Sequence, residues 1–316
     1  MINNLKLRQL RLLVALDSER KLQLAAERLN ITQSAASKML AEIEAVARVP
    51  LFERTARGVE PTAYGSILIR GGRSVLADLD RVTNEFAGYR SGELGTVSVG
   101  TVAKPSIDLV VDVMQYLGEK LHRVSISLDV STSPPLVARL LALELDFVVA
   151  RIPAGVDPGQ FDYHAIGAEQ AGLLVRAEHP LAGLDSVNLE DTVDLQWIIQ
   201  PRESFMRQGL ERLFYSRGIA PPQRIINTES FFASIGIAAG IDAIVPVPLL
   251  IFDLLDPQRF KMLRIRDQLM LESYGLIKLR KRALSPAAML VFDAMMRLGV
   301  ANGRAAPDGS DRKSTR

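Results

Sequence analysis

The sequence predicts an α/β protein overall. A mostly helical head, a winged helix-turn-helix, is followed by one long linker helix and a two-lobed α/β body. Three observations predict this. Leu22 to Ile43 read as two short helices separated by Asn30-Ile31-Thr32. Residues 63–90 carry an apolar seam at heptad spacing. From Thr96 onward, apolar strand runs alternate with helical runs.

In the head, helix one runs from Leu7 to Leu16, with Leu10, Leu13, Val14 and Leu16 as its apolar face. Helix two is Leu22 to Leu29, where the small Ala25 and Ala26 let another helix approach closely. Thr32 is a good N-cap for helix three. Ala36, Leu40 and Ile43 lie at i, i+4 and i+7 and form its buried stripe. Gln33, Ser34, Ser37 and Lys38 fall at its start and off that stripe. The start of the second helix of such a motif enters the major groove. There Gln pairs with adenine edges, Ser bonds either partner, and Lys reaches guanine or phosphate. The same spacing also suits an ordinary helical hairpin with a solvated polar face. Val49 to Arg54 then reads as a strand, and Thr55 to Thr62 turns and returns, which makes a wing. Arg54 and Arg57 sit where a wing touches phosphates or the minor groove, or where a plain hairpin is solvated.

Residues 63–90 read as one helix, with Thr62 as N-cap. Leu68, Val75, Leu79, Val82, Phe86 and Tyr89 form a seam long enough to pair with a second copy. Burial against its own domain is the other reading of that seam. Gly71-Gly72 interrupts it, for close crossing or for a bend. Ser91-Gly92-Glu93-Leu94-Gly95 is a linker.

The body opens with strand Thr96 to Thr101, helix Ile107 to Leu117, strand Val124 to Val130, helix Leu136 to Leu143 and strand Phe147 to Ala150. This order argues for a parallel sheet covered on both faces. A second set follows. Its strands are Tyr163 to Ile166, Gly172 to Arg176, Trp197 to Gln200, Arg224 to Asn227 and Ala243 to Val245, and its helices start at Phe205 and Phe231. Late strands at 260–265 and 272–280 and a helix from Pro286 to Leu298 complete the pattern, giving two lobes. Residues 303–316 are small, polar and charged and read as a disordered tail.

Composition narrows the function. The chain of 316 residues is 48% hydrophobic and 23% charged, as for a soluble globular protein. The absence of cysteine excludes disulfides, thiolate metal sites and cysteine nucleophiles. Residues 1–90 carry fourteen Lys and Arg against ten Asp and Glu, whereas residues 91–302 carry twenty against twenty-four. A basic head on a slightly acidic body suits a nucleic-acid head on a small-molecule domain. The start, Met1 to Lys6, lacks the pattern of a signal peptide, so a cytoplasmic location is expected. Phe231 to Leu255 is long and apolar, but Gly236, Gly240, Asp242, Pro246, Pro248 and Asp253 punctuate it. A helix, a buried strand and a second helix explain it better than a membrane span.

Residues 5–65 resemble the winged head of LysR-type transcriptional regulators. The likeness rests on Leu7-Arg8-Gln9-Leu10, Ala25-Ala26-Glu27-Arg28-Leu29, Thr32-Gln33, Ser37, Pro50-Leu51-Phe52-Glu53-Arg54, and Pro61-Thr62 followed by Gly65. The family usually has Pro where this chain has Ser34, and Gly-Ser where it has Arg20-Lys21. Arg20-Lys21 either adds a phosphate contact or is only solvated. The resemblance implies a DNA-binding transcription factor whose Gln33, Ser34, Ser37 and Lys38 face DNA. It implies a periplasmic-binding-protein-like body, with a crossing near residues 161–168 and a return near 266–271. The domains expected are then 1–62 for the head, 63–92 for the dimerisation helix and 93–302 for the effector-binding body. Lobe one is 93–163 with 268–302, and lobe two is 164–267. The partners implied are double-stranded promoter DNA, further copies in a homodimer or homotetramer, a small effector, and RNA polymerase.

In open α/β sheets, ligands bind at the carboxyl ends of strands. Here those ends are Thr101 to Lys104, Ser131-Thr132-Ser133, Arg151, Pro201 to Phe205, Thr228 to Ser230 and Val245-Pro246. The residues singled out for an effector are Thr101, Lys104, Thr132, Ser133, Pro201, Ser204, Phe205, Thr228, Ser230 and Val245. Their hydroxyls and the free amides at helix starts suit a carboxylate or a sugar hydroxyl. Each hydroxyl equally suits a plain helix cap. Residues 201–230 and Leu284-Ser285-Pro286 carry a less specific likeness to a subgroup sensing small acids or sugars in catabolism, so an organic acid, an aromatic acid or a sugar is expected. Two other classes stay in view. An enzyme on the α/β body is opposed by the sequence. Its three histidines, His122, His164 and His179, lack catalytic spacing, and there is neither GxGxxG nor GxxxxGK[ST]. A solute-binding protein fits the body but not the head. No catalytic residue, cofactor, metal or membrane is expected.

Overall fold

A computed structural model describes residues 5–55, 58–91, 95–184, 186–263, 265 and 269–301. Arg57, the side chain of Tyr89, part of the 91–95 linker and the 303–316 tail lie outside the described residues. The chain divides into two compact units around the boundary between Glu93 and Leu94.

The first unit begins with α1 (Leu7–Glu19), α2 (Leu22–Arg28) and α3 (Gln33–Ala47). Leu12, Leu13, Leu16, Ala25, Ala26, Ala36 and Ile43 close its core. The N-cap is as the sequence predicts: the Thr32 hydroxyl accepts from the Ala35 N–H at 3.2 Å. The wing is the antiparallel pair β1 (Phe52–Thr55) and β2 (Gly58–Pro61), with Phe52 opposite Pro61 and Thr55 opposite Gly58. It starts three residues later than the apolar run suggests. The Leu51 N–H donates to the Glu44 carboxylate at 2.7 Å, so Leu51 anchors the strand to α3 rather than joining it. Gly58 has φ +134°, and a Cβ there would lie 2.2 Å from the Arg20 carbonyl oxygen. That oxygen instead accepts from the Val59 N–H at 2.9 Å, docking the wing on the end of α1.

α4 (Ala63–Ser91) is capped by Thr62, whose hydroxyl accepts from the Gly65 N–H at 3.1 Å. The helix runs through Gly71 and Gly72. Gly72 lies against Leu10 and Val14 of α1, which is the close-crossing reading. Along the expected seam Leu68 packs on the head core, whereas Val75, Val82 and Phe86 are exposed, Phe86 to 68%.

The second unit starts with β3 (Gly95–Thr101), α5 (Ala103–Ile107), α6 (Leu109–Leu117), β4 (Val124–Val130), α7 (Ser133–Leu141) and β5 (Phe147–Ala150). β3 pairs parallel with both β4 and β5. Alternate residues of β5 serve two cores. Phe147 and Val149 join α6, and Val148 and Ala150 join α7. The helix expected at 107–117 is α6, which starts at Leu109, where the Asp108 carboxylate accepts from the Leu109 N–H at 2.6 Å; the short α5 just before it was not expected.

Then comes β6 (Phe161–Arg176), one strand of 16 residues where the sequence reads two. The gap between the expected halves, Gly167 to Ala171, carries no large apolar residue, yet Gly167 and Glu169 to Ala171 pair with β11 across a register shift between Leu271 and Tyr274. β7 (Gln196–Ile199), α8 (Phe205–Ser216), β8 (Ile225–Asn227), α9 (Phe231–Ala238), β9 (Ala243–Pro248) and α10 (Leu249–Phe252) follow. β10 (Phe260–Leu263), β11 (Leu269–Leu279) and α11 (Pro286–Ala301) end the described chain. β6 and β11 form a long antiparallel ribbon from Phe161 opposite Leu279 to Ala171 opposite Leu269. The strand order is β4-β3-β5-β11-β6-β9-β7-β8, with β10 also on β6. Each lobe has a parallel core, and the antiparallel ribbon joins the two. β9 runs on past its expected end through Pro246 and Pro248. Its pairing with β7 stops at Ile244, so no β7 ladder bond is lost to those prolines.

Candidate functional site

In the head, Gln33, Ser34, Ser37 and Lys38 are all exposed, and Ala36 between them is fully buried. One turn of helix separates a core residue from a polar face. The Ser34 and Thr32 hydroxyls share a hydrogen bond of 3.0 Å, which ties Ser34 into the cap. Arg54 is exposed on β1, across from Val59. Arg20 ends α1 in the left-handed region with φ 55°. Its guanidinium meets Asp17 at 3.1 Å, and Asp17 also binds Arg73 at 2.7 Å.

In the body, a cavity of about 230 Å³ opens among the helix starts. Of the residues expected there, Thr132 and Ser133 line it from lobe one, and Ser204, Phe205 and Ser230 from lobe two. Two of these hydroxyls also cap helices. Ser204 accepts from the Arg207 N–H at 3.1 Å, and Ser230 from the Ala233 N–H at 3.2 Å. The other five do not line the cavity. Thr101 is buried and donates to the Val102 carbonyl at 3.0 Å. Lys104 binds the Asp108 carboxylate at 2.8 Å and the Tyr274 hydroxyl at 3.2 Å. Burial works against the Lys104 ammonium, but its hydrogen bond to Asp108 and the charges of Tyr274 and Asp108 outweigh it and raise its pKa above the ordinary value. Thr228 accepts from the Ser230 N–H at 3.1 Å. Val245 is a core residue, and Pro246 lines the cavity beside it. Gln200 lines it where Pro201 was expected.

The charged centre of the cavity escaped the candidate set. Arg151, at the end of β5, binds Glu169 of β6 at 2.8 Å, and each side chain is 5% exposed. Arg151 Nε also donates to the Glu272 carbonyl at 2.6 Å, and its backbone N–H donates to the Ser133 hydroxyl at 3.0 Å. Its guanidinium lies 5.7 Å from the Phe205 ring centre and 5.6 Å from that of Tyr274. A signal for Arg151 was present: a charge directly after four buried apolar residues, at a strand end. Glu169 gave none, because it falls in the expected break within β6. Glu229 and Met206 complete the wall on the lobe-two side, with Leu271 from β11. The arrangement offers hydroxyl, amide and carboxylate partners set among apolar side chains in a small, partly open cavity, which suits holding a molecule. Among the described residues, no cluster of His, Cys, Asp and Glu could hold a metal ion, and no helix is long and apolar enough to cross a membrane.

Comparison with known proteins agrees on both units. The family described as bacterial regulatory helix-turn-helix protein, lysR family, matches residues 7–66. The LysR substrate binding domain family matches residues 90–298. The HTH-type transcriptional regulator GbpR of Azospirillum brasilense is 36% identical over 293 residues, 92% of this chain and 86% of that one. Among solved structures, CbnR, a LysR family transcriptional regulator, matches with a TM-score of 0.64 at 21% identity, over 93% of this chain and 99% of that one. Full-length CbnR complexed with its target DNA matches with a TM-score of 0.62 at 22% identity, over 93% and 100%. At those identities the structures speak for the fold. This chain therefore belongs to the LysR family and is a DNA-binding transcriptional regulator with a substrate-binding domain, not an enzyme.

Proposed function

We propose that the protein works as a homodimer or homotetramer on promoter DNA in the cytoplasm and answers to a small effector held in the body cavity. Copies pair along the α4 seam and present two α3 faces to a two-fold site. Gln33, Ser34, Ser37 and Lys38 read the major groove, while Arg54 and Arg57 hold phosphates. The effector is an organic acid, an aromatic acid or a sugar. By binding one arrangement of the assembly better than another, it sets access of RNA polymerase to a catabolic or transport operon. No cofactor is needed.

The observation that carries this reading is the joining, in one chain, of an exposed polar face at the start of α3 to a small cavity in the body that mixes hydroxyl and charged groups with apolar walls. A gel-shift with the DNA upstream of its own gene is the test. Specific binding at moderate salt that changes with metabolite extract is expected, and no specific binding with or without extract sinks the reading. The seam has its own check. Val82 is more than half exposed, so Val82→Asp leaves the monomer folded and lowers the mass seen by light scattering. An unchanged mass would remove α4 from the assembly.

A further inference from the structure

The charges on the cavity wall do not suit an acid. Among the described lining residues Arg151 is the one cation, and Glu169 and Glu229 are two carboxylates. Arg151 is already engaged, by Glu169 at 2.8 Å and by the Glu272 carbonyl at 2.6 Å. A ligand carboxylate that took Arg151 would leave Glu169 buried without its counter-charge. Lys104 and Arg202, the other candidate cations, are both off the wall; Lys104 is bound to Asp108 and Arg202 is exposed. α7 begins Ser133-Pro134-Pro135, so two of its first peptide nitrogens carry no hydrogen for an anion.

A hydroxyl group meets the same wall well. It donates to the oxygens of Glu169, Glu229 or Gln200 and accepts from Thr132, Ser131 and the free amides at the starts of α8 and α9. Phe205 and Phe231 supply an apolar face for carbon-bound hydrogens. The volume, about 230 Å³, lies below the usual range for drug-sized ligands and suits a single small ring. We infer that the effector is a small neutral polyhydroxylated molecule of the monosaccharide class. This inference rests on reading the cavity as the effector site.

Thermal unfolding of the full-length chain tests it, against neutral aldopentoses and aldohexoses each set beside its own aldonic acid. A neutral sugar at about a hundred times its Kd should raise Tm by roughly 5–10 °C. Its aldonic acid should do nothing at the same concentration. Glu169→Gln keeps the shape, removes one negative charge and leaves the Arg151 charge unneutralised, so this variant should bind the acid of the pair more tightly than the parent does. An aldonic acid that stabilises the parent at a lower concentration than every neutral sugar overturns the inference, as does a complete lack of response to the neutral set. Thr132→Trp, which fills the cavity, separates the two failures. An acid that stabilises the parent but not this variant leaves the cavity as the site and removes only the sugar. A compound that stabilises both equally removes the cavity itself.

Discussion

The start of α3 and the wall of the body cavity both carry polar side chains, but they hold them differently. On α3 the side chains of Gln33, Ser37 and Lys38 stand in water, on the face opposite Ala36 and Ile43. Water solvates them until something replaces it. In the cavity, Arg151 and Glu169 are nearly sealed and already satisfy each other, and Ser133, Ser204 and Ser230 are committed to backbone N–H groups. A surface that meets a long polyanion can wait for it uncommitted. A site that discriminates one small molecule must fix its groups first, because a buried polar group without a partner is costly.

The largest effect that would break this contrast is at Glu169. Removing one member of a buried ion pair strands the other, at a cost of about 3–5 kcal/mol. Glu169→Ala should therefore lower the stability of the body by about that amount in urea melts, with the head left largely as it was. A loss under about 1 kcal/mol would mean that water reaches the pair freely and that the cavity is no more committed than the α3 face.

Lys38 tests the other side. Lys38→Ala removes one charge from an exposed face, so the stability of the free protein should stay within about 0.5 kcal/mol. DNA binding should weaken by about 1–3 kcal/mol, with a salt dependence shallower by about one unit if the contact is to phosphate. The thermal shift given by any ligand of the cavity should not change. Equal losses of DNA and ligand binding would contradict the division between the two regions.

These two sites also differ in how far the sequence reveals them. Gln33 to Lys38 and their buried neighbour Ala36 lie within one helix, so periodicity alone separates the faces. The cavity gathers residues from 102 to 271, and only a rule about strand ends pointed toward it. That rule places Thr132, Ser133, Ser204, Phe205 and Ser230 on the wall. It also names Thr101 and Val245, which are one residue short of it, beside the lining residues Val102 and Pro246. A shift of one residue along a strand changes its face, and sequence does not fix strand ends that finely. Glu169 was out of reach for another reason. It reaches the cavity through the continuity of β6, and that continuity depends on pairing with β11 about a hundred residues later.

Acidity separates the regions again, by a smaller effect. Residues 1–90 contain no histidine, whereas the body buries His179, whose Nδ1 accepts from the Leu181 N–H at 3.1 Å. Burial pushes its pKa below the ordinary 6.5, with Arg176 adding to the fall and Asp242 opposing it. Below that value the unfolded chain takes up a proton that the folded body does not. The stability is thus complete above about pH 6.5 and declines as the pH drops through the folded value. Urea melts of the body from about pH 7.5 down to about pH 5 should show this decline, and His179→Gln should flatten it. An equal slope in the variant would place the sensitivity elsewhere.

The smallest effect concerns Arg20, where the head itself holds a residue in an unfavourable state. Its φ of 55° suits glycine, the residue the LysR pattern carries there, and costs an L-residue about 1–2 kcal/mol. Glycine would relieve that strain but would add about 0.5–1 kcal/mol of unfolded-chain entropy. It would also forgo the Asp17 contact, a half-exposed pair worth about 0–1 kcal/mol, while Asp17 keeps Arg73. The net expectation for Arg20→Gly lies between a loss of about 1 and a gain of about 1.5 kcal/mol in head stability, read from the urea midpoint at constant slope. A loss larger than that would show that the ion pair, and not the backbone, governs this turn. The same variant settles what the side chain does on DNA. If the salt dependence of binding falls by about one unit, Arg20 neutralises a phosphate and the uncommitted surface of the head extends from α3 to the end of α1. If the dependence is unchanged, Arg20 is committed to Asp17, and the contrast between a waiting head and a committed cavity holds only for the face of α3.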